Sequence, residues 1–225
     1  MAITIVASIA GAAASGANIT LALADTATDD IIVTWGGFAG GTATVPGVLG
    51  PTGFTSVWTV DSAAVDTKIE WLRAGATPPT SVLLAGSGDA ADSGAYGAYV
   101  LRGVTPTGDP LNVPIRTSIA SGAIQSPSII TLTADAAVLA LGINDVFDSS
   151  PGTVTNFASN VFASANDTDD ATAAGAASII AVAGTVSPAA WTTWGDGAYN
   201  TATLALTPAS VVAAGSQLLT SLGAG

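Results

Sequence analysis

The sequence predicts an all-β protein, a jelly-roll or Greek-key-like β-sandwich built from two pseudo-repeated halves. Short runs rich in Val, Ile and Thr alternate with clusters of Gly, Pro, Asp and Ser, the pattern of many strands joined by turns. Helical periodicity is scarce, and segments of the first half return in the same order in the second.

Strands are expected over residues 19–24, 31–35, 56–60, 67–72, 81–85, 95–102, 129–133, 137–142, 158–163, 178–183 and 200–206, each bounded by turn-forming residues. Ile19-Thr-Leu-Ala-Leu-Ala-Asp25 returns as Ile130-Thr-Leu-Thr-Ala-Asp135, and the strand after Asp30 returns after Asp135. Phe54 matches Phe157, and the Tyr96 and Leu101 pattern matches Tyr199 and Leu204, each at an offset of 103 residues. Ser81 and the apolar run after it match Ser178 and its run. These matches divide the chain into an N-terminal arm or strand (1–17), a first half (18–106), a crossover linker (107–127), a second half (128–208) and a C-terminal docking tail (209–225). About five strands per half are few to close a core alone, so the halves are expected to share one core or to abut tightly.

Composition narrows the function. Hydrophobic residues make up 49% of the 225 and charged residues 9%, which is the composition of a folded chain. No apolar run reaches the roughly 18 residues of a membrane span, so no membrane insertion is expected. Residues 1–10 look like a signal core, but no Lys or Arg precedes them, and they read as an arm or strand. Net charge is −12, with only Lys68, Arg73, Arg102 and Arg116 as cations, which argues against direct nucleic-acid binding. A charge-poor, apolar chain is expected to bury surface in self-association, as a homo-oligomer.

The chain holds no His and no Cys, which removes the commonest general base, thiolate chemistry and the usual soft metal ligands. Its single glutamate, Glu70, lies in an alternating run that sets Lys68 and Glu70 opposite Ile69 and Trp71, and reads as a solvated strand face. No catalytic residue, cofactor or metal is expected. Asn166-Asp-Thr-Asp-Asp170 offers alternate carboxylates to a Ca²⁺ ion, but it lacks the glycine and glutamate of an EF-hand loop and reads as an acidic turn. Asp25, Asp29 and Asp30 read the same way. Trp191, Trp194, Asp196 and Tyr199 can form an aromatic platform with a carboxylate, the arrangement that stacks on and hydrogen-bonds a sugar ring, against the alternative of core packing. Ile3 and Ile5 in the arm, with Val211, Val212, Leu218, Leu219 and Leu222 in the tail, are the candidate assembly contacts. Ser210 is placed to cap a short helix carrying the tail residues.

Leu101-Arg-Gly-Val-Thr-Pro106 and Ala202-Thr-Leu-Ala-Leu-Thr-Pro208, with the Asp-led strands and Phe turns before them, resemble a family of β-rich proteins encoded in bacteriophage structural modules. The resemblance implies a non-enzymatic virion protein, a capsid decoration or cement protein or a head spike, that binds the viral shell and itself. A trimer is what viral β-sandwich proteins of this kind imply. The alternative is a phage tail or cell-surface carbohydrate- or receptor-binding module, for which the Trp191–Tyr199 cluster is the candidate glycan contact.

Overall fold

The computed structural model describes residues 2–39, 46–62, 64–121, 124–166, 169–194 and 197–210. In the first half lie β1 (Thr4–Ala13), β2 (Ile19–Ala22), β3 (Ile31–Ala39), β4 (Val48–Gly50), β5 (Thr55–Val60), β6 (Val65–Arg73), β7 (Ser81–Leu84) and β8 (Gly94–Arg102). The second half holds β9 (Arg116–Ser121), β10 (Ile129–Thr131), β11 (Ala136–Asn144), β12 (Ser159–Ala165), β13 (Ala171–Ile180), β14 (Gly184–Val186) and β15 (Ala198–Leu206).

The strands build a β-sandwich of four antiparallel sheets in layers. One five-stranded sheet runs β1-β8-β3-β6-β5 and the other β12-β13-β11-β15-β9, with β2-β7-β4 and β10-β14 as smaller sheets. In the first half the pairing is nested, β1 with β8, β2 with β7 and β3 with β6, which is the wrapping order of a jelly roll. The second half repeats it, β9 with β15, β10 with β14 and β11 with β13, and among the described residues only β4 lacks a counterpart. The two large sheets face each other in reversed order, with β1 against β12, β8 against β13, β3 against β11 and β6 against β15.

Burial follows from the layering. The central core lies between the large sheets and takes Ile31, Val33, Trp35, Tyr99 and Leu101 from one half and Leu139, Leu141, Leu204 and Leu206 from the other. The outer faces of the large sheets are covered by the small ones, with Leu21, Ile32, Val82, Leu84 and Tyr96 on one side and Ile129, Val138, Val154 and Val186 on the other. Strands β3 and β11 are buried on both faces along their whole length, so they lack the polar alternation of a half-solvated strand. The same double burial explains β13, whose small Ala and Gly residues give a weak strand signal yet pack closely between layers.

The layering corrects the sequence reading in four places. The 107–127 stretch carries β9, the edge strand paired with β15, just as β1 pairs with β8. Ser178 lies in β13, whereas the nested counterpart of β7 is β14, so the Ser81 match is displaced. Val33 faces the central core and Val138 the outer one, so the match that begins at Asp30 and Asp135 is out by one residue and inverts the face. Ile69 and Trp71 do turn toward the core, but Glu70 is not solvated: it is 6% exposed, because β4 lies over it. Its Oε2 accepts from the Val48 amide at 2.8 Å and its Oε1 pairs with Lys68 at 2.8 Å. Glu70→Ala is expected to cost about 1–3 kcal/mol by leaving both partners unmatched. Amide exchange at Val48 should rise with it, and an unchanged Val48 would show that β4 holds without this carboxylate.

The halves are joined by more than apolar contact. Asn200 Nδ2 donates to the Val65 carbonyl at 2.8 Å and to Thr67 Oγ1 at 2.9 Å, and Tyr99 Oη donates to the Ser159 carbonyl at 3.0 Å. The two Thr-Pro segments that close the halves meet, with the Thr105 amide donating to the Thr207 carbonyl at 2.8 Å and Val104 bridged to Pro208.

Candidate functional site

The aromatic cluster is core, not platform. Trp191 and Trp194 are 6% and 7% exposed and meet edge to face, with ring centroids 5.1 Å apart and planes at 81°. Tyr199 is buried with them beneath the outer layer of the second half. Their rings are taken up by packing in this core; Asp196 lies outside the described residues. Ile3 is buried in the central core and Ile5 is half-buried against it, so both side chains hold β1 to its own chain. Val211, Val212, Leu218, Leu219, Leu222 and the helix expected after Ser210 lie outside the described residues.

The acidic segments resolve into separate roles. Asp25, Asp29 and Asp135 hold positive φ, as short polar turn residues can. Asp30 is engaged: its carboxylate accepts from Arg102 Nε at 3.0 Å, Arg102 Nη2 at 2.9 Å and the Ala27 amide at 2.8 Å. Of the Asn166–Asp170 segment, Asp167 lies outside the described residues, while Asp169 bridges to Asp92 in the first half, accepting from the Ser93 amide at 2.9 Å. This seam gathers two carboxylates that the sequence separates. Asp66 and Asp92 are 1% and 3% exposed, and Oδ2 of each has no hydrogen-bond partner. Burial pushes both above the ordinary carboxylate range. Asp61 and Asp92 add to this at Asp66, against the Ser62 amide, and Asp89 and Asp169 add to it at Asp92, against Ser87. Among the described residues no group of three acidic side chains is arranged to hold a metal ion.

Among the described residues, large apolar side chains are exposed on both halves, at Leu49 and Leu83 in the first and at Ile119, Ile130, Leu132, Phe147, Phe162 and Val182 in the second. On the outermost layer of the second half, Ile130, Leu132 and Val182 are 58%, 69% and 75% exposed. The first half supplies an internal comparison. Ile19 pairs with Leu84 as Ile129 pairs with Val186, which makes Thr20 the counterpart of Ile130 and Ala22 the counterpart of Leu132. The outer sheets of both halves expose large apolar side chains, Leu83 opposite Thr20 and Leu49 in the first half, and Ile130 opposite Thr185 with Leu132 and Val182 in the second. Reading Ile130 as the match of Ile19 placed it inward and hid the face; the doublet Ile129-Ile130 was the available signal, since one of two adjacent strand residues must point out.

No family model, curated protein or solved structure matches the chain.

Beside this face the surface is concave. An open cavity of about 410 Å³ is lined by Asp109, Leu111, Asn112, Val113 and Pro114. Asn112 ties it to the face, accepting from the Leu132 amide and donating to Thr133 Oγ1 at 2.7 Å. The cavity lining is apolar apart from Asp109 and Asn112. Among the described residues no helix is long and apolar enough to cross a membrane.

Proposed function

We propose that this chain is a non-enzymatic structural protein of a bacteriophage virion, a capsid decoration or head-spike protein that binds the viral shell and itself. The observation that carries the reading is the exposure of Ile130, Leu132 and Val182, each more than half exposed, on the outer layer of the second half. Large apolar side chains left in water cost about 25 cal/mol for each Å² of apolar surface, a cost that burial against a partner removes. The resemblance of the two Thr-Pro segments to phage structural proteins supplies the setting, and jelly rolls serve widely as shell components. The glycan-binding alternative loses its aromatic platform, because Trp191, Trp194 and Tyr199 are core residues.

Ile130→Asp and Leu132→Asp leave the buried faces of β10 untouched. Together they are expected to weaken binding to particles lacking the chain, and self-association, by about thirtyfold or more, the scale of a lost interface hot spot. Co-sedimentation with particles and analytical ultracentrifugation measure the two. Binding and mass that match the unaltered protein would refute the assignment of this face, and the chain's absence from purified virions by mass spectrometry would refute the virion reading.

A further inference from the structure

We propose that β9 is the edge through which two copies of the chain join, each laying its β9 antiparallel to that of the other about a two-fold axis, so that the sheet containing β9 runs on from five strands to ten. The inference is independent of the Ile130 face and names a second surface for self-association. The duplication supplies the first ground. The offset of 103 residues that relates Tyr96 to Tyr199 makes Gly97 the counterpart of Asn200, and the sheet orders make β1 the counterpart of β9 and β5 that of β12. At one end of the sandwich β1 packs against β12. At the other end β5 and β9, the equivalent pair, make no comparable contact. Ala10, opposite Gly97, is half-buried at the closed end, whereas Ile119, opposite Asn200, is 64% exposed at the open one. Ile119 turns to the side between the sheets, because Asn200 beside it reaches the Val65 carbonyl and Thr67 of β6.

The state of the edges is the second ground. An open strand edge is a template for another strand unless a bulge, a charge or a covering element blocks it. Of the four edge strands of the large sheets, β1 and β12 lie against each other, and β5 is broken by a bulge between Ser56 and Trp58. β9 pairs with β15 in unbroken register from Arg116 to Ser121, and among the described residues no backbone hydrogen bond reaches its other side. Arg116, Thr117, Ile119 and Ala120 are exposed along it. Residues that face the same way must oppose each other, so an antiparallel pair of identical strands centres on a residue, and a centre at Ile119 covers the large exposed side chain of each copy with that of the other. Charge favours a second copy at this place. β9 has no acidic residue in a chain of net charge −12, so two copies meet there without opposed carboxylates. Its one charge, Arg116, lies three residues from the centre, which holds the two arginines roughly 20 Å apart at about 3.4 Å per residue, outside the screening length of about 10 Å.

The chain has no cysteine, so Ile119→Cys introduces a lone thiol at the centre of the pair. On oxidation it is expected to give disulfide-linked dimers about tenfold faster or more than Leu83→Cys, which sets a thiol on the outer sheet of the first half, and equal rates overturn the proposal. Ile119→Lys opposes two charges across the axis and is expected to weaken dimerisation about thirtyfold or more in analytical ultracentrifugation, whereas an unchanged mass overturns the proposal. Lost particle binding at unchanged mass overturns it too, since the edge then takes a strand of the shell instead of a second copy. The two readings fail separately. When Ile130→Asp and Leu132→Asp are added, cross-linking through Ile119→Cys is expected to persist while particle binding and assembly beyond the dimer are lost. Dimers joined at position 119 in a protein that binds no particle keep this inference and remove the virion reading, whereas particle binding without such dimers does the reverse.

Discussion

Replacing Trp35 with alanine is expected to lower the stability of the entire sandwich by about 3–5 kcal/mol, and to do so in one transition that takes both halves. The indole is fully buried in β3 and stacks on Tyr99, with ring centroids 5.1 Å apart and planes at 18°. It also fills space that two glycines leave open. A Cβ on Gly97, its cross-strand neighbour in β8, would stand 2.1 Å from the ring, and one on Gly175, in β13 of the facing sheet, 2.4 Å from it. Gly175→Ala should therefore cost about 1–3 kcal/mol by overpacking. Trp35→Leu combined with Gly175→Ala should cost less than the sum of the single changes, because the smaller side chain accepts the added methyl. Urea melts followed by circular dichroism measure both. A loss under about 1 kcal/mol for Trp35→Ala, or two resolved transitions, would contradict a core shared between the halves.

At neutral pH, Asp66→Asn and Asp92→Asn are each expected to stabilise the protein, by about 1–3 kcal/mol, the scale of an unmatched buried polar group. Asn at position 66 retains an acceptor for the Ser62 amide, which now reaches Oδ1 at 2.8 Å, and removes a charge held out of water beside other carboxylates. The sign follows from linkage. Both carboxyls are raised in the folded state, so their contribution to stability is full below the unfolded value of about 3.9 and is lost as pH rises through the folded value. The gain from either substitution should accordingly shrink toward zero on acidification. Melts of the parent and both variants at pH 7 and near pH 4 compare these outcomes; a gain equal at both pH values, or a loss at pH 7, would mean that the seam does not strain against its own charge.

Several features of the fold were legible in the residues. Alternating Val/Ile/Thr runs and turn clusters determine an all-β chain, because a period of two commits a segment to a sheet with two unlike faces. The returning Phe and Tyr-to-Leu patterns determine the duplication: Phe54 and Phe157 both join outer cores, and Leu101 and Leu204 both face the central one. Which face of each strand meets which layer was decided only by tertiary packing. The Ile19 and Asp30 matches slipped by one residue, and a slip of one exchanges inside for outside, so it placed Ile130 inward. Glu70 is buried rather than solvated because β4, a three-residue strand with little signal of its own, lies across it. Trp191 and Trp194 carry the same residue types whether they serve as a sugar platform or as a core, and only the layer above them makes them core. Asp66 and Asp92 stand 26 residues apart in the chain, and Asp92 raises the Asp66 carboxyl and meets the Asp169 backbone only because a sandwich brings the ends of distant strands to one seam. Local sequence determines what a strand can bury, whereas stacking of the layers determines what it does bury, and burial governs charge, exposure and therefore binding.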